Sequence, residues 1–230
     1  MIPWILLDKV IAPGDGKELR LFQRDSEFSI KVSAYELMNS RVHNSEDALA
    51  KLACLKIGDQ PEPQILIGGL GMGFTLRAAL NNLSVEAHVT VAELIPAVVK
   101  WNRSFLAHLA GSPLNDKRVT VYEGDVADKI NTAHNLYHAI LLDVDNGANG
   151  LTQKENDSLY TLTGLNAAYA ALHPEGVLAI WSAGPDEMFA KLLRKAKFKV
   201  KETYVPKRSG RKHGGKAVVW IATKNEDATI

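Results

Sequence analysis

Residues 64–80, Gln-Ile-Leu-Ile-Gly-Gly-Leu-Gly-Met-Gly-Phe-Thr-Leu-Arg-Ala-Ala-Leu, constrain the fold more than any other stretch of the chain. A short apolar run with β-branched members, set off by Pro61 and Pro63, predicts a buried strand over 64–67. Four glycines follow, Gly68, Gly69, Gly71 and Gly73, and 75–80 is good helix-forming sequence. A strand, a glycine turn and a helix start present unpaired backbone N–H groups where no side chain intervenes. That suits a nucleotide. Glycine turns are also common in ordinary α/β proteins, so the rest of the chain decides what binds.

The remainder alternates strand and helix. Strands are predicted over 89–92, 119–122, 139–142, 177–181, 199–205 and 217–223, and helices over 95–109, 126–133, 153–172 and 185–196. The helix over 153–172 is expected to stop at His173-Pro174-Glu175-Gly176. This order implies an α/β fold: a Rossmann-like, doubly wound, mostly parallel seven-stranded sheet with a C-terminal antiparallel strand. Ahead of it, 18–23 and 27–32 read as a short N-terminal β-hairpin, and a helix is capped at Asn44 or Ser45. The expected division is a small β-rich region, 1–43, and a Rossmann domain, 44–230.

At 230 residues the chain suffices for one good core. A net charge of +1 gives no global argument for nucleic acid or an anionic membrane. Cys54 is the single cysteine and can form no internal disulfide, which fits a reducing compartment. The apolar start, 1–7, lacks a basic leader and is too short for a signal peptide. No apolar run reaches membrane-spanning length. A cytoplasmic protein is expected. The seven histidines show no metal spacing, so no metal is expected.

In an open parallel sheet, ligands sit beyond the carboxyl ends of the strands. The residues there are the glycines, then Glu93-Leu94, then Glu123-Gly124-Asp125-Val126, then Asp143-Val144-Asp145-Asn146. Glu93, about twenty residues past the glycine turn, is where an acidic side chain accepts ribose hydroxyls. Asp125 can accept from an adenine amino group. Any one of these carboxylates could be a mere helix cap. Together they point to one acid-lined site. The glycines run Gly-x-Gly-x-Gly rather than Gly-x-Gly-x-x-Gly, which puts a sulfonium nucleoside ahead of a dinucleotide.

These residues resemble the spermidine synthase (polyamine aminopropyltransferase) family within the class I S-adenosylmethionine-dependent methyltransferase fold. The likeness rests on Ile67-Gly68-Gly69 with Thr75-Leu76-Arg77, Ala92-Glu93-Leu94, Glu123-Gly124-Asp125 and Leu141-Leu142-Asp143. Upstream, Ser40-Arg41-Val42-His43-Asn44-Ser45-Glu46 is similar to the family's Tyr-His-Glu segment. The resemblance implies a donor, decarboxylated S-adenosylmethionine or S-adenosylmethionine, held by Gly68, Gly69, Gly71, Gly73, Glu93, Leu94, Asp125 and Val126. It implies Asp143 as the catalytic aspartate with Asp145 as second choice, and His43, Glu46 and Asn146 on the side of a small amine. It also implies a homodimer. Three departures stand out: Leu70 and Met72 occupy a loop, one residue longer here, in which the family carries an aspartate; Asp143 and Asp145 are separated by one residue, not two; and the N-terminal β-region is much shorter than the family's.

The competing reading within enzymes is a methyltransferase acting on a small molecule. A third reading, nucleic-acid binding, rests on the basic loop with Lys207, Arg208, Arg211, Lys212, His213 and Lys216. Near-neutral total charge and the lack of interleaved aromatics favour a solvated hairpin tip instead.

Overall fold

The computed structural model describes residues 2–13, 16–144, 156–206 and 215–225. Its first sheet is antiparallel and runs in chain order through β1 (Ile5–Ile11), β2 (Glu18–Arg24), β3 (Glu27–Val32) and β4 (Tyr35–Asn39). Alternation along β2 and β3 puts Leu19, Leu21, Phe28, Ile30 and Val32 on one buried face. The expected hairpin is therefore the middle of a four-stranded sheet. No period-two pattern announces β1, whose apolar residues are broken by Asp8 and Lys9. A bulge between Leu6 and Asp8 accommodates it, and Trp101 Nε1 donates to Asp8 Oδ2 at 2.8 Å.

The second sheet is seven-stranded. It comprises β5 (Gln64–Gly68), β6 (His88–Glu93), β7 (Val119–Glu123), β8 (Tyr137–Leu142), β9 (Leu172–Ser182), β10 (Lys199–Pro206) and β11 (Lys216–Thr223). Their order is β10-β11-β9-β8-β5-β6-β7, and β11 alone runs opposite to the other six strands. From β5 the chain steps outward to β6 and β7, then crosses back to β8 on the other side. That reversal between β5 and β8 opens a crevice at their carboxyl ends.

Both faces of this sheet are apolar, as a parallel sheet between helices requires. Ile65 and Ile67 point into one core, shared with α1 (Asn44–Ile57), α2 (Phe74–Leu80), α3 (Pro96–Asn102) and the buried face of the N-terminal sheet. Leu66 points the other way, into a core shared with α4 (Val126–Thr132), α5 (Leu162–Ala171) and α6 (Glu187–Lys195). The expected boundary at 43/44 falls between β4 and α1, and side chains on both sides of it share the first core.

Two helices are shorter than their sequences suggest. The 95–109 prediction ends as α-helix at Asn102, where Asn102 Nδ2 turns back to the carbonyls of Val98 and Gly71, and the chain goes on in short 3₁₀ turns. The 153–172 prediction becomes a 3₁₀ turn over Asn156–Tyr160 and then α5, capped by Thr161 Oγ1, which accepts from Gly164 N–H at 3.2 Å. The helix stops where expected, α5 ending at Ala171, and 172–176 then form a bulged start of β9, which the sequence reading begins only at 177. Leu172 pairs with Tyr137 and Val177 with Ala139, and Glu175 at φ +60° absorbs the extra residues. Among the described residues no helix is long and apolar enough to cross a membrane.

Candidate functional site

The carboxyl ends of β5, β6, β7 and β8 converge on a cleft of about 120 Å³. Gly69, Glu93, Leu94, Asp125, Val126 and Asp143 all line it. Backbone hydrogen bonds continue past the strand ends and hold the rim together: Gly69 N–H donates to Ala92 O, Gly124 N–H to Glu93 O, and Asp143 N–H to Gly68 O. Gly69, at φ +87°, has no room for a side chain, because a Cβ would stand 2.6 Å from Asp143 O. The glycine turn and the β8 end are thus in backbone contact.

Glu93 is nearly buried, 8% exposed, and braces the turn. Its Oε2 accepts from Leu70 N–H and its Oε1 from Ile95 N–H, both at 2.9 Å. Asp125 caps α4, accepting from Ala127 N–H at 2.8 Å, and lines the cleft as well. The cap and the ligand-facing reading are compatible here.

A second, smaller cavity of about 10 Å³, room for roughly one water, adjoins the first. Met38, Gly71 and Asp143 line both. Asn39, at the end of β4, Glu46, from the first turn of α1, and Thr75, from α2, complete its polar wall. Thr75 Oγ1 donates to Asp143 Oδ2 at 2.6 Å, and Ser45 Oγ to Glu46 Oε2 at 2.6 Å. Burial, and after it the like charge of Asp143, pushes the Glu46 carboxyl up to about 7. Burial likewise pushes Asp143 up to about 6, against the Thr75 hydrogen bond. Two carboxyls facing one small cavity resist carrying two charges.

Other expected site residues lie elsewhere. Gly68 packs against Val126 and Leu142, and Gly73 caps α2 facing Asn102, so neither lines either of these two cavities. His43 turns away too: its Nδ1 pairs with Asp47 Oδ2 at 2.8 Å, its ring stacks on Phe74 at 4.2 Å, and Arg77 clamps the other oxygen of Asp47. Its geometry makes it a buttress for α1. Asp145, Asn146 and the basic positions 207–214 lie outside the described residues.

One wall has no counterpart in the sequence reading. Leu19, Ile30, Leu37 and Met38 bring the N-terminal sheet over the cleft as an apolar face. The alternation of β2 and β3 marks Leu19 and Ile30 as core residues, but nothing in residues 35–43 distinguishes a strand from a loop.

Residues 46–203 match the family model described as the spermine/spermidine synthase domain. The chain belongs to the spermine/spermidine synthase family. Among curated relatives, this family member is 28% identical over 127 residues to the polyamine aminopropyltransferase of Sulfolobus acidocaldarius, covering 55% of the present chain and 40% of that one. It is 29% identical over 147 residues to that of Prochlorococcus marinus, covering 61% and 50%. The chain therefore spans half or less of the length of these relatives. Solved spermidine synthases share the fold. That of Thermotoga maritima superposes with a TM-score of 0.74 at 17% identity, over 96% of this synthase-family chain and 74% of the other. A spermidine synthase in complex with the transition state analogue AdoDATO gives 0.72 at 17% identity, over 96% and 73%.

Proposed function

We propose that the chain is an aminopropyltransferase of the polyamine synthase type, moving an alkyl group from a sulfonium nucleoside, decarboxylated S-adenosylmethionine, to a small primary amine. The observation that supports this most is the pairing of two cavities through Asp143: a larger one at the sheet's switch point and a small acidic one beside it, in a chain whose residues 46–203 match the family. In this reading Glu93, which lines the cleft, takes the ribose hydroxyls, Asp125 takes the adenine amine, and the apolar face of the N-terminal sheet covers the nucleoside.

The amine enters the acidic cavity as an ammonium, since its free pKa is near 10. Asp143 and Glu46 attract it, and Asp143 takes one proton, freeing the nitrogen lone pair. The nitrogen attacks the carbon next to the sulfonium. A C–N bond forms as the C–S bond breaks, and the sulfur keeps the electron pair as a neutral thioether nucleoside. The product leaves as a secondary ammonium. The protein's main contribution is to hold donor and nucleophile in line across Asp143.

Calorimetric titration with decarboxylated S-adenosylmethionine and with S-adenosylmethionine tests the reading. Micromolar binding of the decarboxylated donor, with amine-dependent release of the thioether nucleoside, supports it. Binding of S-adenosylmethionine alone would replace it with methyl transfer on the same scaffold.

A further inference from the structure

The larger cavity and the acidic one meet at three residues, and two of those cannot move far. Gly71 belongs to a turn tied down by Asn102 Nδ2, which donates to Gly71 O at 2.8 Å. Asp143 is fixed by Thr75 and by its own N–H to Gly68 O. The third is Met38, near the end of β4 in the other sheet. Its side chain crosses to the glycine turn: a Cβ on Gly71 would stand 2.8 Å from Met38 Cε and 3.0 Å from Sδ. Gly71, at φ +52°, supplies the space in which the thioether ends.

Resting on the aminopropyl reading, we propose that Met38 is the partition between donor and acceptor cavities and sets the size of amine that the protein accepts. At about 10 Å³ the acidic cavity has room for roughly one water, so an amine with its attached carbons needs more space than this conformation offers. One of its walls must therefore yield when an acceptor enters. Leu70, Met72 and Phe74 are 4, 2 and 6% exposed and packed in the core, and Thr75 is 2% exposed; Asn39 and Glu46 are partly buried, but Asn39 is tied through Nδ2 to Glu36 Oε1 at 2.8 Å and Glu46 Oε2 is held by Ser45 Oγ at 2.6 Å. Met38 is only partly buried, lies at the core's margin, and has the unbranched, rotatable side chain that yields most easily. It also stands where the nitrogen in the acidic cavity must reach the carbon in the larger one. How far the thioether can swing then limits the bulk that the amine carries next to its nitrogen.

The test compares wild type, Met38→Ala and Met38→Leu with a graded series of primary amines from methylamine through the straight-chain diamines to an amine branched beside its nitrogen. Two quantities are read: turnover with decarboxylated S-adenosylmethionine, and calorimetric amine affinity without any donor. Met38→Ala is expected to raise the preference for the branched amine over methylamine about tenfold, the range for one or two methylenes in an apolar pocket, in both readouts. Because Met38 also lines the larger cavity, donor affinity is titrated separately for each variant and turnover is compared at saturating donor. Met38→Leu, of similar volume, should return the selectivity to within threefold of wild type. An unchanged size preference in Met38→Ala, or no measurable amine binding in any of the three proteins, overturns the assignment. If no sulfonium donor binds while the amine preference still shifts, the aminopropyl reading fails and the partition stands.

Discussion

The two adjoining cavities use carboxylates in opposite ways. In the larger one, Glu93 and Asp125 each accept backbone N–H groups, from Leu70 and Ile95 and from Ala127. They act as fixed acceptors that position both the loop and whatever lies against it. In the smaller one, Glu46 and Asp143 come from elements 97 positions apart in sequence, face each other in a confined space, and are both pushed up towards neutrality. Recognition of a neutral hydroxyl or amino group needs an acceptor whose orientation is settled. Movement of a proton needs a group whose two forms are close in free energy near working pH. The first cavity is built for holding and the second for exchange.

If that division of labour is right, substitutions in the two cavities fail differently. Asp143→Asn should have the largest effect, lowering turnover by about 10³-fold, within the range for loss of a general base, while donor affinity stays within threefold. Steady-state rates and calorimetry on the same preparation check both halves. Comparable loss of donor binding would erase the distinction and move Asp143 to the holding side. Glu93→Ala should do the reverse. It strips a buried acceptor from two backbone donors, a loss of roughly 1–3 kcal/mol each, so donor affinity should fall about 30- to 100-fold with the glycine turn loosened. Glu93→Gln, which keeps one acceptor oxygen, should recover part of that affinity.

How legible each cavity is from sequence follows from how it is made. The strand-end rule needs only local patterns, so Gly69, Glu93, Asp125 and Asp143 can be placed on one rim from their positions after four apolar runs. Their convergence is a property of the topology. The acidic cavity needs tertiary packing: the angle of α1 brings Glu46 in, and β4 brings Met38 from another sheet. No local pattern encodes either, and His43, three residues before Glu46, is drawn by the same packing to Asp47 and Phe74 instead. The errors in element boundaries have a like cause. Residues 173–176 do end the helix, as their composition indicates, but pairing of Leu172 with Tyr137 starts β9 ahead of the apolar run from Val177 and makes the segment a strand bulge. Helix 95–109 keeps its apolar spacing beyond Asn102, yet the Asn102 side chain has already tied the helix end to the glycine turn.

Gly71→Ala probes the seam between the two regions. A non-glycine residue at φ +52° costs about 1 kcal/mol, and the added Cβ must displace the Met38 thioether. A chain of this size loses about 2–4 °C of Tm per kcal/mol, so a drop of a few degrees is expected in a thermal melt. Relief by a second substitution, Met38→Ala, would show that the contact itself, and not the backbone alone, contributes. An equal drop in single and double variants would assign the whole effect to the turn.

The smallest expected effect is on stability against pH, and it isolates the exchange side without any substrate. Glu46 has an ordinary value of 4.5 and about 7 in the folded chain. A raised carboxyl means that the folded state binds more protons than the unfolded one between those values, so folding stability declines as pH rises through that window. Asp143, raised from 3.8 to about 6, pulls in the same direction. Glu46→Gln removes the first contribution and lessens the second, because the like charge facing Asp143 is gone. His43 also acts on Glu46, lowering its value, but burial and the like charge of Asp143 outweigh it. The variant should therefore match wild type in urea unfolding near pH 4.5 and exceed it by on the order of 1 kcal/mol at pH 8. A difference that is the same at both pH values would mean that Glu46 and Asp143 do not share a proton economy, and the contrast between the two cavities would then rest on Asp143 alone.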